Sequence, residues 1–401
     1  MANTFVGFGF GAIQGGLFLP EVQRSGNFDR IVVAEINQQL VDDLDIAKGC
    51  YDYNIAESNQ VRSETITGVE LVNPLNNKGQ KYLVDAIAEA SEICTALPSF
   101  ALYDEGNVSV ANLLAEGLSL KCKHEVYPSA VIYAAENDAR AADKLKEACM
   151  KYHPEGFQPK VEFSETVIGK MCTVVTDPMR ISEENLKTLT GTQDRALLVE
   201  SYNKIFVEEK KPAGFTRGLN FLLEKKDLNP FAIAKFLGQN ATHVTLGYLA
   251  AEAGIKNMHE ISQFPELIKR GEDAYLLECW PGLKKCFAEV EDEFFREDIF
   301  KQNAREAIVR MLNPYLSDPV ERVTRDPVRK LGWDDRIVGA MRLAVKAGVV
   351  PVQLATAARL ALQRACQQNK WTNPAESLNL IWHDIAEKDR LPMRDLILQA
   401  Y

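Results

Sequence analysis

The chain has 401 residues, 46% of them hydrophobic and 25% charged, which is ordinary for a globular protein and enough for two domains with large cores. A formal net charge of −10 argues against a nucleic-acid partner or an anionic membrane surface, so any anionic ligand needs a local site. The 8 cysteines contain no CxxC pair, which predicts neither a zinc site nor a disulfide framework and fits a reducing, cytoplasmic setting; no stretch reads as a membrane span.

Residues 4–8 form a short apolar strand, followed by Gly9-Phe10-Gly11-Ala12-Ile13-Gln14-Gly15-Gly16 and a helix-like stretch at 17–22. A glycine turn between strand and helix lets backbone amides approach a pyrophosphate, whose charge the helix N-terminus favours. Gly9, Gly11, Ala12, Ile13 and Gln14 are therefore candidate dinucleotide contacts; the plainer alternative is a tight strand–helix connection. A second strand at 30–34 ends on Glu35, about twenty residues past Gly15, where an acid binds adenosine ribose hydroxyls and repels a 2′-phosphate. That placement predicts NAD in preference to NADP. Gln14 stands where the G-x-G-x-x-G fingerprint has its third glycine, which predicts either an altered helix start or a side chain near the cofactor.

Further strands are predicted at 69–73, 99–103, 130–135, 169–175 and 195–206, with helices at 79–97, 108–118 and 138–152. This alternation predicts an α/β, Rossmann-type doubly wound sheet. Asn137 falls between a strand and a helix, placed to cap that helix, to reach a ligand beyond the strand ends, or both. The segment KKPAG at 210–214 reads as a linker, dividing the chain into a nucleotide-binding domain at 1–211 and an all-helical domain at 212–401.

The second domain centres on residues 229–254, NPFAIAKFLGQNATHVTLGYLAAEAG, read as one interior helix with Asn229 as cap, Pro230 in the first turn and Gly254 closing the far end. At about 100° per residue, Asn240 lies about 140° and His243 about 80° around from Lys235, so the three polar side chains share less than half the circumference. Burial lowers a lysine pKa towards neutrality and makes it a usable proton acceptor. The residues alone leave open that Lys235 reaches out to solvent, Asn240 ties down a loop and His243 is a satisfied core histidine. More helices are predicted over 258–270, 273–303, 304–312, 333–347, 351–368 and 375–388. Between them, NPYLSDPVERVTRDPVRKL at 313–331 clusters Arg322, Arg325, Arg329 and Lys330, with Arg336 just beyond. Arginine forks suit phosphate oxygens, but Asp318, Glu321, Asp326, Asp334 and Asp335 match those charges, so the patch is either a phosphate site or salt-bridged surface.

The spacing K-x4-N-x2-H from Lys235 to His243 resembles the active-site helix of the polyol-specific long-chain dehydrogenases, the family of mannitol-1-phosphate and mannitol dehydrogenases. The run Ala134-Ala135-Glu136-Asn137 is similar to that family's A-x-E-N, and 313–331 resembles, nearly residue for residue, a segment of its phosphate-acting branch. The glycine turn departs from the family's GxGxxGRG at Gln14. The resemblance implies a metal-free, NAD-dependent dehydrogenase with Lys235 as general base and with Asn137, Asn240 and His243 holding the substrate oxygen. It also implies a polyol phosphate, such as a hexitol phosphate, oxidised to a ketose phosphate, with Arg325, Arg329 and Lys330 as candidate phosphate ligands. The alternatives are an unphosphorylated polyol or sugar acid as substrate, and a non-catalytic NAD-binding sensor on the same fold.

Overall fold

β1 (Thr4–Phe8) is buried along its whole length, with Phe5 packed into one core and Val6 and Phe8 into another. A strand apolar on both faces needs cover on both sides, and β1 lies inside such a sheet. The computed structural model describes residues 3–105, 108–138 and 140–400. It divides into two compact units, Met1–Leu228 and Asn229–Tyr401.

In the first unit, β1 is followed by α1 (Leu19–Ser25), β2 (Arg30–Ala34), α2 (Gln38–Ile46), β3 (Tyr51–Ala56), β4 (Val61–Ile66), β5 (Val69–Val72), α3 (Asn77–Glu89) and β6 (Ala90–Thr95). Then come α4 (Val110–Lys123), β7 (Ala130–Ala134), α5 (Ala141–Tyr152), β8 (Val161–Ile168), β9 (Cys172–Val175), α6 (Pro178–Glu183), β10 (Ala196–Glu200), β11 (Ile205–Glu208) and β12 (Leu222–Lys225). The larger sheet runs β12-β11-β8-β7-β6-β1-β2-β5, and from β5 to β8 every pairing is parallel. This is the predicted doubly wound order, with its direction reversing between β1 and β6, where ligands bind beyond the strands' carboxyl ends. A second sheet, β4-β3-β10-β9, is a feature that strand prediction missed.

Three expectations need correction. The strand predicted at 99–103 is a 3-10 turn, Phe100–Tyr103, and the true strand is β6, inside the span predicted as helix. β6 follows α3 without a loop, and its Glu92 disguises it as a helical surface. That buried carboxylate is tolerated because the Tyr133 hydroxyl donates to it at 2.7 Å and the Gly218 and Leu219 amides donate as well. The strand predicted at 195–206 is two, β10 and β11, which belong to different sheets. Finally, the predicted linker at 210–214 lies inside the first unit, because β12 follows it and pairs in parallel with β11.

The second unit is helical, as predicted: α7 (Asn229–Ala234), α8 (Ala241–Glu252), α9 (Pro265–Asp273), α10 (Trp280–Cys286), α11 (Glu297–Met311), α12 (Val320–Thr324), α13 (Pro327–Lys330), α14 (Arg336–Lys346), α15 (Val352–Asn369), α16 (Pro374–Ile381) and α17 (Glu387–Gln399). Its core is one cluster in which Val244, Leu246, Tyr248 and Leu249 of α8 are buried with Met341 of α14 and Leu354 of α15. Gly254, at φ 74°, closes α8, with the Ile255 amide donating to the Ala250 carbonyl at 2.9 Å. No helix among the described residues is long and apolar enough to cross a membrane.

Candidate active site

At the reversal point of the larger sheet, Gly9 adopts φ 84°, a conformation natural to glycine. A Cβ there would stand 3.0 Å from the Ala96 carbonyl oxygen, whereas one on Gly11 would meet open space. The turn therefore has room beside Gly11 for a phosphate, next to the free amides of the helix start that includes Ala12 and Ile13. Glu35, at the end of β2, accepts hydrogen bonds from the Phe10 amide at 3.0 Å and the Asn37 amide at 2.8 Å. Its carboxylate is thereby fixed, with lone pairs left over for ribose hydroxyls. These residues fit a dinucleotide.

Gln14 settles its own alternative. Its side chain is fully buried beneath β1, and a Cβ on Gly7 would collide with its amide nitrogen. Among the described residues neither amide atom has a hydrogen-bond partner. The room normally made by a glycine in the helix is here made by Gly7 in the strand. The helix start is altered too, for residues Gln14–Phe18 form a π turn. On its other side this turn touches the second sheet: a Cβ on Gly15 would stand 2.6 Å from Leu197 of β10, and the Tyr51 hydroxyl of β3 donates to the Gly15 carbonyl at 2.6 Å.

Asn137 follows β7 and is exposed, with no side-chain hydrogen bond among the described residues. It does not cap α5, whose N-cap is Arg140. The preceding Glu136 holds this corner in place, accepting from Thr95 at 2.9 Å, from the Leu97 amide at 2.9 Å and from the Tyr103 hydroxyl. Burial raises the pKa of that carboxyl, with these donors opposing. Glu136 was not singled out from the sequence, although it stands inside the A-A-E-N run.

In the second unit the helix predicted at 229–254 is continuous but not uniform. Lys235–Asn240 forms a π turn between α7 and α8. A π turn bonds residue i to i+5, so Lys235 and Asn240, five apart, lie closer to one face than the α-helical angle of about 140° implies. Gly238 makes the turn packable, because its Cβ would stand 2.7 Å from the Tyr275 ring. Lys235 is half-buried and, among the described residues, its ammonium has neither a carboxylate nor a hydrogen-bond partner. Burial, then the positive charges of Arg336 and Arg310, lower its pKa to about 8. Arg336 is held over the Phe236 ring at 5.1 Å and against Asp335 at 3.0 Å. Asn240 is half-buried and also unpaired among the described residues.

His243 is held. Its Nε2 lies 2.9 Å from Oδ2 of Asp318, and Arg322 donates to the other carboxylate oxygen at 2.7 Å. Burial would raise the Asp318 pKa, but His243 and Arg322 outweigh it and keep the group below the usual carboxylate range. The rest of 313–331 braces the same helix. A Cβ on Gly247 would stand 2.5 Å from Val323 of α12, and the Tyr248 hydroxyl donates to the Thr324 carbonyl at 3.1 Å. Lys330 is buried, and its ammonium donates to the Val323 carbonyl at 2.7 Å and to that of Arg325, closing the end of α12. Burial lowers its pKa to about 8. This is a capping role in place of the expected phosphate contact. Arg329 pairs with Asp335 at 3.1 Å, and Arg325, 3.9 Å from Asp326, remains largely exposed.

The family model described as the mannitol dehydrogenase C-terminal domain matches residues 227–389, most of the second unit. Over 90% of this chain and 87% of its own length, a mannitol-1-phosphate 5-dehydrogenase of Bacillus licheniformis is 27% identical. One of Streptococcus pneumoniae is 28% identical over 84% of this chain and 82% of its own. The second unit thus carries the mannitol dehydrogenase C-terminal match, and over most of its length the chain is similar to mannitol-1-phosphate 5-dehydrogenases. Solved structures agree on the fold: a D-sorbitol dehydrogenase superposes with a TM-score of 0.77 at 11% identity, covering 98% of this chain and 91% of that one. A Pseudomonas fluorescens mannitol 2-dehydrogenase, solved as a ternary complex with NAD and D-mannitol, gives 0.70 at 14% identity, covering 99% and 90%. The family resemblance and the class of enzyme expected from the sequence are borne out: a polyol dehydrogenase. Besides Glu136, Asp318 and Gly7 are residues whose roles the sequence did not disclose. Asp318 lies inside the resembling segment, which marks it; Gly7 carries no mark of its own.

Proposed function

We propose that this polyol dehydrogenase uses NAD to interconvert a polyol phosphate, a hexitol phosphate such as mannitol 1-phosphate, and the corresponding ketose phosphate, with Lys235 as general base. The observation that carries the mechanism is a lysine on a π turn with no counter-charge among the described residues, its pKa brought to about 8 by burial and two arginines. Such an amine is part-neutral near pH 8 and accepts the alcohol proton at Nζ. NAD, when bound, supplies the hydride acceptor. The turn at Gly9, Gly11, Ala12 and Ile13 holds the pyrophosphate, and Glu35 holds the ribose and disfavours a 2′-phosphate. Asn137 and Asn240, both with unused amides, donate to the alkoxide as it forms, and His243 binds the substrate beside them.

The phosphate assignment is supported by the names of the curated relatives and by the exposed guanidinium groups of Arg325 and Arg329. A specific observation favours the second reading, a neutral polyol or sugar acid: Arg322, Arg329 and Arg336 each already face an aspartate. NADH formation with hexitols, hexitol phosphates and aldonates decides between them. A phosphate held by arginine loses affinity as ionic strength rises, and a neutral polyol does not. If a neutral hexitol matches its phosphate in kcat/KM at low salt, and Arg325→Ala and Arg329→Ala change neither, the phosphate is discarded and the polyol retained.

A further inference from the structure

His243 reaches Asp318 through one ring nitrogen only; Nδ1 has no partner among the described residues. An ionised carboxylate accepts hydrogen bonds and donates none, so Nε2 must be the donor. Asp318 cannot turn away, because it is buried, its Oδ1 is occupied by Nε and Nη2 of Arg322, and its backbone carbonyl accepts from the Met258 amide at 2.9 Å. Arg322 has no competing carboxylate nearer than this one among the described residues. The second partner also keeps Oδ2 directed at the ring.

We infer that Asp318, anchored by Arg322, is a positioning residue that fixes the neutral His243 ring as its Nε2–H tautomer, leaving Nδ1 as a hydrogen-bond acceptor towards the substrate. This deepens the proposed function and rests on its placing of His243 against substrate. An acceptor cannot stabilise the alkoxide that Lys235 creates; that task belongs to donors, the amides of Asn137 and Asn240. His243 instead takes the proton end of a neighbouring hydroxyl. The substrate class is thereby narrowed to alcohols with a second hydroxyl beside the carbon oxidised.

Two independent measurements test this. In protein labelled with 15N-histidine, long-range 15N–1H spectra distinguish the tautomers; the chain has 5 histidines, and the set that vanishes in His243→Gln is that of His243. At high pH the wild-type pattern is expected to be that of Nε2–H, and Asp318→Asn, whose amide offers both a donor and an acceptor, should mix the tautomers. An Nδ1–H pattern, or the same mixture in both proteins, overturns the positioning role whether or not His243 touches substrate. The second arm compares a polyol substrate with its analogue lacking the hydroxyl next to the reacting carbon. The wild type should disfavour the deoxy analogue at least about tenfold in kcat/KM, because an unfilled polar group rejects it. His243→Ala should erase that discrimination. Equal discrimination in both proteins means that the ring does not receive that hydroxyl, and the catalytic placing of His243 falls while the tautomer result stands.

Discussion

The glycine turn of the first unit and the polar helix of the second present their chemistry in opposite ways. The turn offers backbone: free amides at a helix start, a fixed φ at Gly9, and one carboxylate, Glu35, tied to two of its own neighbours. The helix offers side chains, with Lys235 and Asn240 unpaired among the described residues and His243 tied to a buried aspartate. Backbone chemistry depends on space and tolerates exchange, so a glycine lost at Gln14 is recovered at Gly7. Side-chain chemistry depends on residue type, and K-x4-N-x2-H is present in full where the nucleotide fingerprint lacks its third glycine.

The contrast breaks most visibly at Lys235. Lys235→Ala is expected to lower kcat by about 10²–10⁴, the usual worth of a general base, without lowering Tm, since a cation held without a counter-charge adds nothing to stability. Direction and pH supply the sign. The base works unprotonated, so polyol oxidation in the wild type should fall as pH drops through about 8, and ketose reduction, which needs the protonated amine, should fall as pH rises past it. A Lys235→Ala enzyme that kept a kcat within about tenfold of the wild type at neutral pH would refute the assignment. Asn137→Ala and Asn240→Ala should each lose about 10²–10³ in kcat, the cost of one oxyanion donor. A rise confined to KM would instead make them ground-state contacts.

The same contrast explains what could be read from the sequence. The doubly wound sheet was legible from apolar runs alternating with helical patterns, and the helical unit from its periodicity. β6 was not, because Glu92 is made acceptable by Tyr133 and by amides more than a hundred positions away in the chain, a pairing no local window holds. The second sheet escaped because β3 and β10 are neighbours only in space. In the candidate site, the residue types of Lys235, Asn240 and His243 were legible, but the π turn that brings Lys235 and Asn240 together was not. Its packing, Gly238 against the Tyr275 ring, is a tertiary contact. The arginine patch at 313–331 read equally well as ligand or as scaffold, and the structure assigns Arg322 and Lys330 to scaffold work.

The smallest expected effect tests the backbone side of the comparison. Gly7→Ala places a methyl group where the buried Gln14 amide already lies, on a fully interior strand, so one of the two must move. Overpacking of this kind costs about 1–3 kcal/mol, and the displaced amide should carry the helix start with it and weaken NAD binding. Gln14→Ala alone removes an amide whose polar atoms have no partners among the described residues, so it loses packing but no hydrogen bond and should cost less than Gly7→Ala. Joined in one chain, the two changes are complementary: the added methyl occupies part of the space the glutamine leaves. The double variant should therefore be more stable than the sum of the single effects by about 1 kcal/mol or more, measured as a double-mutant cycle by denaturant unfolding, and its NAD affinity should return towards the wild type. Strict additivity would mean that Gly7 and Gln14 do not share one space, and that the missing third glycine is offset by some other part of the turn.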